Sequence, residues 1–164
     1  MSMPSAEPLY VTSLEELFWG GTLVVITMIM HGFGMIAVVR ANDAVRSWLK
    51  AKTNLMAGLF PVILASLMIM LVHLTEVGVW TAFFVWQGAF PNRSIAYYFS
   101  LNEYTTVGSN FNLPLHWRLL EGMIATTGLL TFAWSTGILL TLAQEFQDHR
   151  TRLFKRQPPH PDKI

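Results

Sequence analysis

The chain contains no cysteine and few charged residues, and these absences exclude several classes of protein. Without a thiol, it can form neither a disulfide nor a cysteine-based metal or catalytic site. Only 13% of its 164 residues are charged, whereas about a quarter are charged in an ordinary soluble domain. It also lacks a phosphate-binding glycine loop and a catalytic triad pattern. The sequence therefore predicts a membrane protein that is not an enzyme and has no catalytic residues, cofactor or nucleic-acid partner.

Three long apolar runs are present instead, over about residues 17–39, 55–86 and 117–142. Runs of 18 or more mostly apolar residues are typical of membrane-spanning helices. The second run is longer than a ~30 Å hydrocarbon core requires at about 1.5 Å per residue, so it should tilt or project from the bilayer. We therefore expect an all-α membrane protein with three transmembrane helices and the lipid bilayer as its first partner.

The placement of basic residues predicts the orientation of these helices. Only Arg93 lies between the second and third runs, Arg118 lies at the start of the third, and no basic residue precedes the first. The others group after the first run and in the C-terminal tail: Arg40, Arg46, Lys50 and Lys52, then Arg150, Arg152, Lys155, Arg156 and Lys163. Because basic segments stay cytoplasmic, we expect a multi-pass protein of the cell (inner) membrane, with its N-terminus outside and its C-terminus in the cytoplasm.

Short local patterns predict where helices begin and end. Ser13 with Glu16 three residues later is a capping box, which indicates the start of the first helix. Residues 40–52 are expected to form a loop with a short interfacial helix. Asn92 is suited to cap a further helix that runs to about Tyr104, and this segment is too short and too polar to span a bilayer.

The short helix leads into a polar run with a known counterpart, namely Thr105, Thr106, Val107, Gly108, Ser109 and Asn110. Between two spans, this run resembles the pore loop of the bacterial two-transmembrane potassium-channel family. In that family, backbone carbonyls of a Thr-Val-Gly-Tyr-Gly loop replace the hydration shell of the ion. The resemblance covers about residues 55–145. It implies an outer helix, a re-entrant pore helix, a selectivity filter and an inner helix, assembled as a homotetramer because each chain supplies one loop.

Together with the orientation inferred from basic residues, the resemblance predicts four parts in the chain. Residues 1–13 are an extracytoplasmic segment, and residues 14–52 are an extra transmembrane helix with a cytoplasmic basic loop. Residues 53–146 form the pore domain, and residues 147–164 form a cytoplasmic basic tail.

Two residues of the loop depart from the family pattern. Ser109 stands where the family has tyrosine, and Asn110 stands where it has its second glycine. Gly108 is expected at positive φ, and asparagine is the next most tolerant residue of that conformation. Two functions follow: a cation channel that conducts K⁺ or Na⁺ as its only metal ions, or a non-conducting, channel-derived subunit that binds an unknown membrane partner.

Residues that flank the loop have roles implied by the same resemblance. Asn102, Glu103 and Tyr104 are expected to support the filter, with Glu103 as a brace to a nearby backbone amide or as a pH-sensitive element. Gly128 corresponds to the gating hinge of the inner helix, although a glycine there also permits close helix packing. Glu121 is expected to face the outer vestibule or to bond across to the pore helix.

Three further ionisable residues lie inside apolar runs: His31 in the first, and His73 and Glu76 in the second. His73 and Glu76 are three residues apart and should share one helix face. Ionisable residues in a membrane span are candidates for function. We consider an interhelical hydrogen bond, a proton-sensing role and a haem or metal site as interpretations of this set.

Overall fold

The computed structural model describes residues 10–49 and 55–155, and within them it is helical, with no strand. The helices are α1 (Leu14–Leu49), α2 (Leu55–Trp86), α3 (Arg93–Tyr104), a 3₁₀ turn (Leu115–Trp117) and α4 (Leu119–Lys155). Three segments are long and apolar enough to cross a membrane: Leu14–Leu49, Leu59–Trp86 and Leu115–Asp148. The all-α class and the three candidate spans are therefore confirmed.

The capping box at the start of α1 is confirmed. Ser13 Oγ accepts a hydrogen bond of 3.1 Å from the Glu16 amide, and the Ser13 amide donates one of 3.0 Å to Glu16 Oε2. Glu16 is fully buried, and its Oε1 also accepts a 3.1 Å hydrogen bond from the Leu119 amide at the start of α4. The same carboxylate thus joins the N-terminal ends of α1 and α4, where helix dipoles favour negative charge.

The first and last helices, α1 and α4, extend beyond the apolar runs predicted for them. The segment from Arg40, predicted to be a loop with a short helix, continues α1 as far as Leu49. It contains neither proline nor glycine, and Arg46 forms an ion pair with Glu145 of α4, so nothing in it interrupts the helix. Likewise, α4 continues to Lys155, into the predicted tail. Residues 1–9 of the N-terminal segment, 50–54 of the loop and 156–164 of the tail lie outside the described residues.

The cap of α3 also agrees with the sequence. Asn92 has extended backbone angles, and its side chain accepts a 2.8 Å hydrogen bond from the Ile95 amide. The helix has 12 residues and ends at Tyr104, as predicted. One face of α3 is buried, and Asn92 fixes the position at which this face begins.

The chain divides into two compact units, one of Met1–His31 with His73–Thr131 and one of Gly32–Val72 with Phe132–Ile164. In the first unit, α3 packs against α2 through aromatic rings. The ring centroids of Phe84 and Phe99 are 5.6 Å apart, within the range of about 4.5–7 Å that is favourable for aromatic pairs. Its core comprises Leu23, Val77, Trp80, Phe83, Phe84, Phe99, Tyr104, Leu113, Trp117, Leu120 and Ile124. The core of the second comprises Met35, Val38, Ala65, Ile69 and Leu142.

Candidate functional site

We call the segment that follows α3 the α3 turn (Thr105–Asn110). Its backbone amides and its backbone carbonyls differ in their hydrogen bonding. Its first five amides donate within the chain: Thr105 to Leu101 O, Thr106 to Glu103 O, Val107 and Gly108 to Asn102 O, and Ser109 to Glu103 Oε1. In contrast, no described residue donates a hydrogen bond to the carbonyl oxygens of residues 105–108. These four residues are exposed. The turn therefore presents a run of unused backbone oxygens.

Two residues of the α3 turn have left-handed backbone angles. Gly108 has φ +81°, which confirms the expectation for this glycine. Thr106 has φ +61°, whereas Asn110 does not adopt a positive φ. A β-branched residue at positive φ is strained by about 1–3 kcal/mol, and such strain is concentrated at functional sites. No sequence signal marks Thr106, because threonine is among the residues least expected at this conformation.

Glu103 makes the predicted hydrogen bond to a nearby backbone amide, while its role in supporting a filter stays a prediction. Its Oε1 accepts a 3.0 Å hydrogen bond from the Ser109 amide, and the Asn102 carbonyl accepts hydrogen bonds from Val107 and Gly108. Burial raises the pKa of Glu103, the hydrogen bond from Ser109 lowers it, and the charge of Glu121 raises it further, with a net increase. The end of α3 and the α3 turn are therefore tied together by one carboxylate and one carbonyl.

Removing the Glu103 charge is expected to change how stability depends on pH. Because its pKa in the folded protein is raised above the ordinary 4.5, the folded state takes up a proton at a pH where the unfolded chain is still ionised. The free energy of unfolding therefore increases as the pH falls through the raised pKa, until the unfolded chain is protonated too. In melting curves between pH 7 and pH 4, wild type should gain stability relative to Glu103→Gln. Parallel pH profiles of the two proteins would contradict this assignment.

Gly128 is the point at which the end of α3 touches α4. A Cβ at this position would overlap the Tyr104 carbonyl oxygen and would lie 2.9 Å from its carbonyl carbon. The close-packing interpretation of Gly128 is thus supported directly, while its role as a hinge stays a prediction. Glu121 bonds to neither α3 nor the α3 turn; its Oε1 accepts a 2.8 Å hydrogen bond from the Leu113 amide and fixes the chain that leads into α4.

Polar side chains from all four helices meet beside Tyr104, in the first compact unit. His31 Nδ1 lies 2.9 Å from Glu76 Oε1, and His73 Nδ1 lies 2.8 Å from the Tyr104 hydroxyl and 3.6 Å from Glu76 Oε2. The Tyr104 hydroxyl donates to Glu76 Oε2 and lies 2.6 Å from Thr131 Oγ1. All five residues are buried. We call this set the polar cluster (His31, His73, Glu76, Tyr104 and Thr131).

The polar cluster confirms that His73 and Glu76 share a helix face and that they form interhelical hydrogen bonds. It also brings in His31, which lies on a different helix. The sequence predicts Tyr104 as filter support and gives no role to Thr131. The sequence feature that could have indicated Thr131 is its position one helical turn after Gly128, on the α4 face that Tyr104 contacts.

Comparisons with known proteins give no independent guide to this site. No family model, curated protein or solved structure matches the chain. A functional assignment therefore depends on the α3 turn, on the contacts of Tyr104 and on the resemblance of residues 105–110 to a pore loop.

Proposed function

We propose that the protein is a cation channel of the potassium-channel type, in which four copies place their α3 turns around one pore. The observation that carries this proposal is the run of exposed carbonyl oxygens at residues 105–108, whose neighbouring amides are all engaged within the chain. A cation that leaves water needs several oxygens at once, and rings of backbone carbonyls supply them in potassium channels. Gly108 at positive φ is the backbone feature that such a loop requires.

The depth of α3 supports a re-entrant pore helix. With 12 residues, it is about 18 Å long and cannot cross a ~30 Å hydrocarbon core. Its last residue, Tyr104, contacts Gly128 and Thr131, which lie about 20–24 Å along α4 from the start of the candidate span at Leu115. Tyr104 also contacts His73, in the middle part of α2. These contacts favour a helix that ends near the centre of the bilayer.

The exposure of the α3 turn supports an oligomer. Non-helical backbone at this depth is tolerated only where protein covers it or where it lines a water-filled cavity. In one copy the turn is uncovered, and Val107 is 75% exposed. Each chain contributes one turn, so a closed ring that surrounds an ion requires several copies, and four complete a channel filter of this type.

The orientation inferred from basic residues fits the same arrangement. The hydrogen bond between Glu16 and the Leu119 amide brings the starts of α1 and α4 together. If the N-terminus is outside, α4 then also begins outside. The α3 turn would enter the membrane from that side, as a potassium-channel pore loop does, and the basic segments would remain in the cytoplasm.

Current through planar bilayers that contain the purified protein tests the proposal, with K⁺ on one side and Na⁺ on the other. Reversal near the K⁺ equilibrium potential would support a selective pore, and reversal near zero, unchanged by a large anion, would support a non-selective cation pore. Cross-linking measures whether the protein is tetrameric. Tetramers that stay silent across voltage and pH would reject conduction and would favour the alternative, a channel-derived subunit that binds a membrane partner.

Restoring the family residues in the α3 turn is expected to increase selectivity for K⁺. The double variant Ser109→Tyr with Asn110→Gly should shift the reversal potential towards that of K⁺, because tyrosine braces the filter and glycine relaxes its backbone. Ser109 Oγ also accepts a 3.0 Å hydrogen bond from the Phe111 amide, which the variant loses. Ser109→Ala is therefore the matched control. Equal reversal potentials in the two variants would argue against a pore lined by this turn.

A further inference from the structure

We propose that the polar cluster binds one divalent transition-metal ion, of which Zn²⁺ is the best fit, with His31, His73 and Glu76 as its ligands. One donor atom from each residue lies within 4.8 Å of the other two. All three side chains are buried, and they reach this point from two different helices. Conduction through the α3 turn is not required for this inference.

The donor atoms suit a first-row transition metal. Two imidazole nitrogens and one carboxylate oxygen form a ligand set of catalytic zinc sites and of non-haem iron sites. Ligands held about 2.0–2.1 Å from a tetrahedral metal lie about 3.3 Å from one another. His31 Nδ1 is 2.9 Å from Glu76 Oε1, and His73 Nδ1 is 3.6 Å from Glu76 Oε2, so each imidazole lies at about this spacing from one oxygen of the carboxylate. Small side-chain adjustments would place the three donor atoms around one metal ion, and water would take the fourth position.

The residues around these ligands have the arrangement that metal sites require. Ligands in such sites are held by outer hydrogen bonds, whose loss typically lowers metal affinity about 10–100-fold. Here, the Tyr104 hydroxyl donates to Glu76, and Thr131 supports Tyr104 at 2.6 Å. His73 Nδ1 would exchange its contact with the Tyr104 hydroxyl for the metal. The carboxylate of Glu76 is also fully buried in an apolar span, where a bound dication would compensate its charge.

The metal would stabilise the packing of the helices and would not be a permeant ion. Tyr104 is both a member of the polar cluster and the last residue of α3, directly before the α3 turn. A metal held by His31, His73 and Glu76 would therefore fix α1 to α2 and would hold, through Tyr104, the end of α3. This places a metal-dependent contact immediately behind the proposed pore.

Metal titration of the full-length, tag-free protein in detergent tests this proposal after treatment with a chelator. We expect about one Zn²⁺ or Co²⁺ per chain, with the visible absorption of four- or five-coordinate cobalt. Glu76→Gln keeps an oxygen that accepts the Tyr104 hydrogen bond but provides a weaker ligand. It should lower the affinity at least about 10–100-fold. The exposed His116, on the 3₁₀ turn, provides the control His116→Gln, which should bind as wild type does.

A wild-type protein that binds no more metal than Glu76→Gln would overturn the proposal and would leave the cluster as a hydrogen-bond network. Equal losses in Glu76→Gln and His116→Gln would also overturn it. If Glu76→Gln does not fold, X-ray absorption of zinc-loaded wild type decides. Imidazole nitrogens and an oxygen at about 2.0–2.2 Å would support the site, and a spectrum without imidazole scattering would reject it.

Discussion

Replacing Gly128 with alanine is expected to destabilise the folded protein by about 1–3 kcal/mol, the usual cost of adding volume to a well-packed site. The new methyl group would overlap the Tyr104 carbonyl oxygen. A backbone oxygen cannot rotate away as a side chain can, so α3 and α4 must separate or Tyr104 must leave the polar cluster. Thermal unfolding in detergent, followed by circular dichroism, measures the loss as a lower melting temperature.

Gly122→Ala is the matched control for this prediction. Gly122 lies on the same helix, and a Cβ there would meet nothing within 4 Å. Because alanine is a better helix former than glycine by about 1 kcal/mol, Gly122→Ala should be neutral or stabilising. If Gly128→Ala also melts at or above the wild-type temperature, the contact with Tyr104 is wrong. A stable Gly128→Ala with altered opening would instead favour the hinge interpretation.

Local features of the fold were predictable from the sequence. Ser13 and Asn92 were identified as helix caps because a cap is formed by a side chain and an amide a few residues away. The apolar runs were predictable for a similar reason, since burial in lipid depends on composition over about 20 residues. Their ends were not, because the polar residues after Arg40 form helix equally well once α1 has begun.

Contacts between helices were predictable only where spacing along one helix determines them. The i, i+3 spacing placed His73 and Glu76 on the same face, and the structure agrees. Nothing in the spacing indicated that His31 would join them, because a helix that is apolar on every side does not show which face packs. Tyr104 and Thr131 joined the cluster through the packing of α3 on α4, which depends on Gly128.

Replacing Gly108 with alanine is expected to abolish most of the current, if residues 105–108 line the pore. Gly108 has φ +81°, a conformation that costs an alanine about 1–2 kcal/mol. If the backbone relaxes to a negative φ, the peptide planes on either side rotate and their carbonyls turn away from the ion path. The K⁺ or Na⁺ current through the reconstituted protein should fall about tenfold or more, because about 1.4 kcal/mol corresponds to a tenfold change in an equilibrium population.

Gly88→Ala separates an effect on the pore from a general loss of stability. Gly88 has φ +64°, and a Cβ at either glycine would meet nothing within 4 Å, so the two substitutions impose similar backbone strain. Gly88 lies after α2, before α3 begins, and forms no part of the α3 turn. We therefore expect similar melting temperatures for both variants but loss of current only in Gly108→Ala. If Gly108→Ala and Gly88→Ala carry equal currents, the α3 turn is excluded as the conduction path. The same backbone strain would then have the same effect inside and outside the proposed filter.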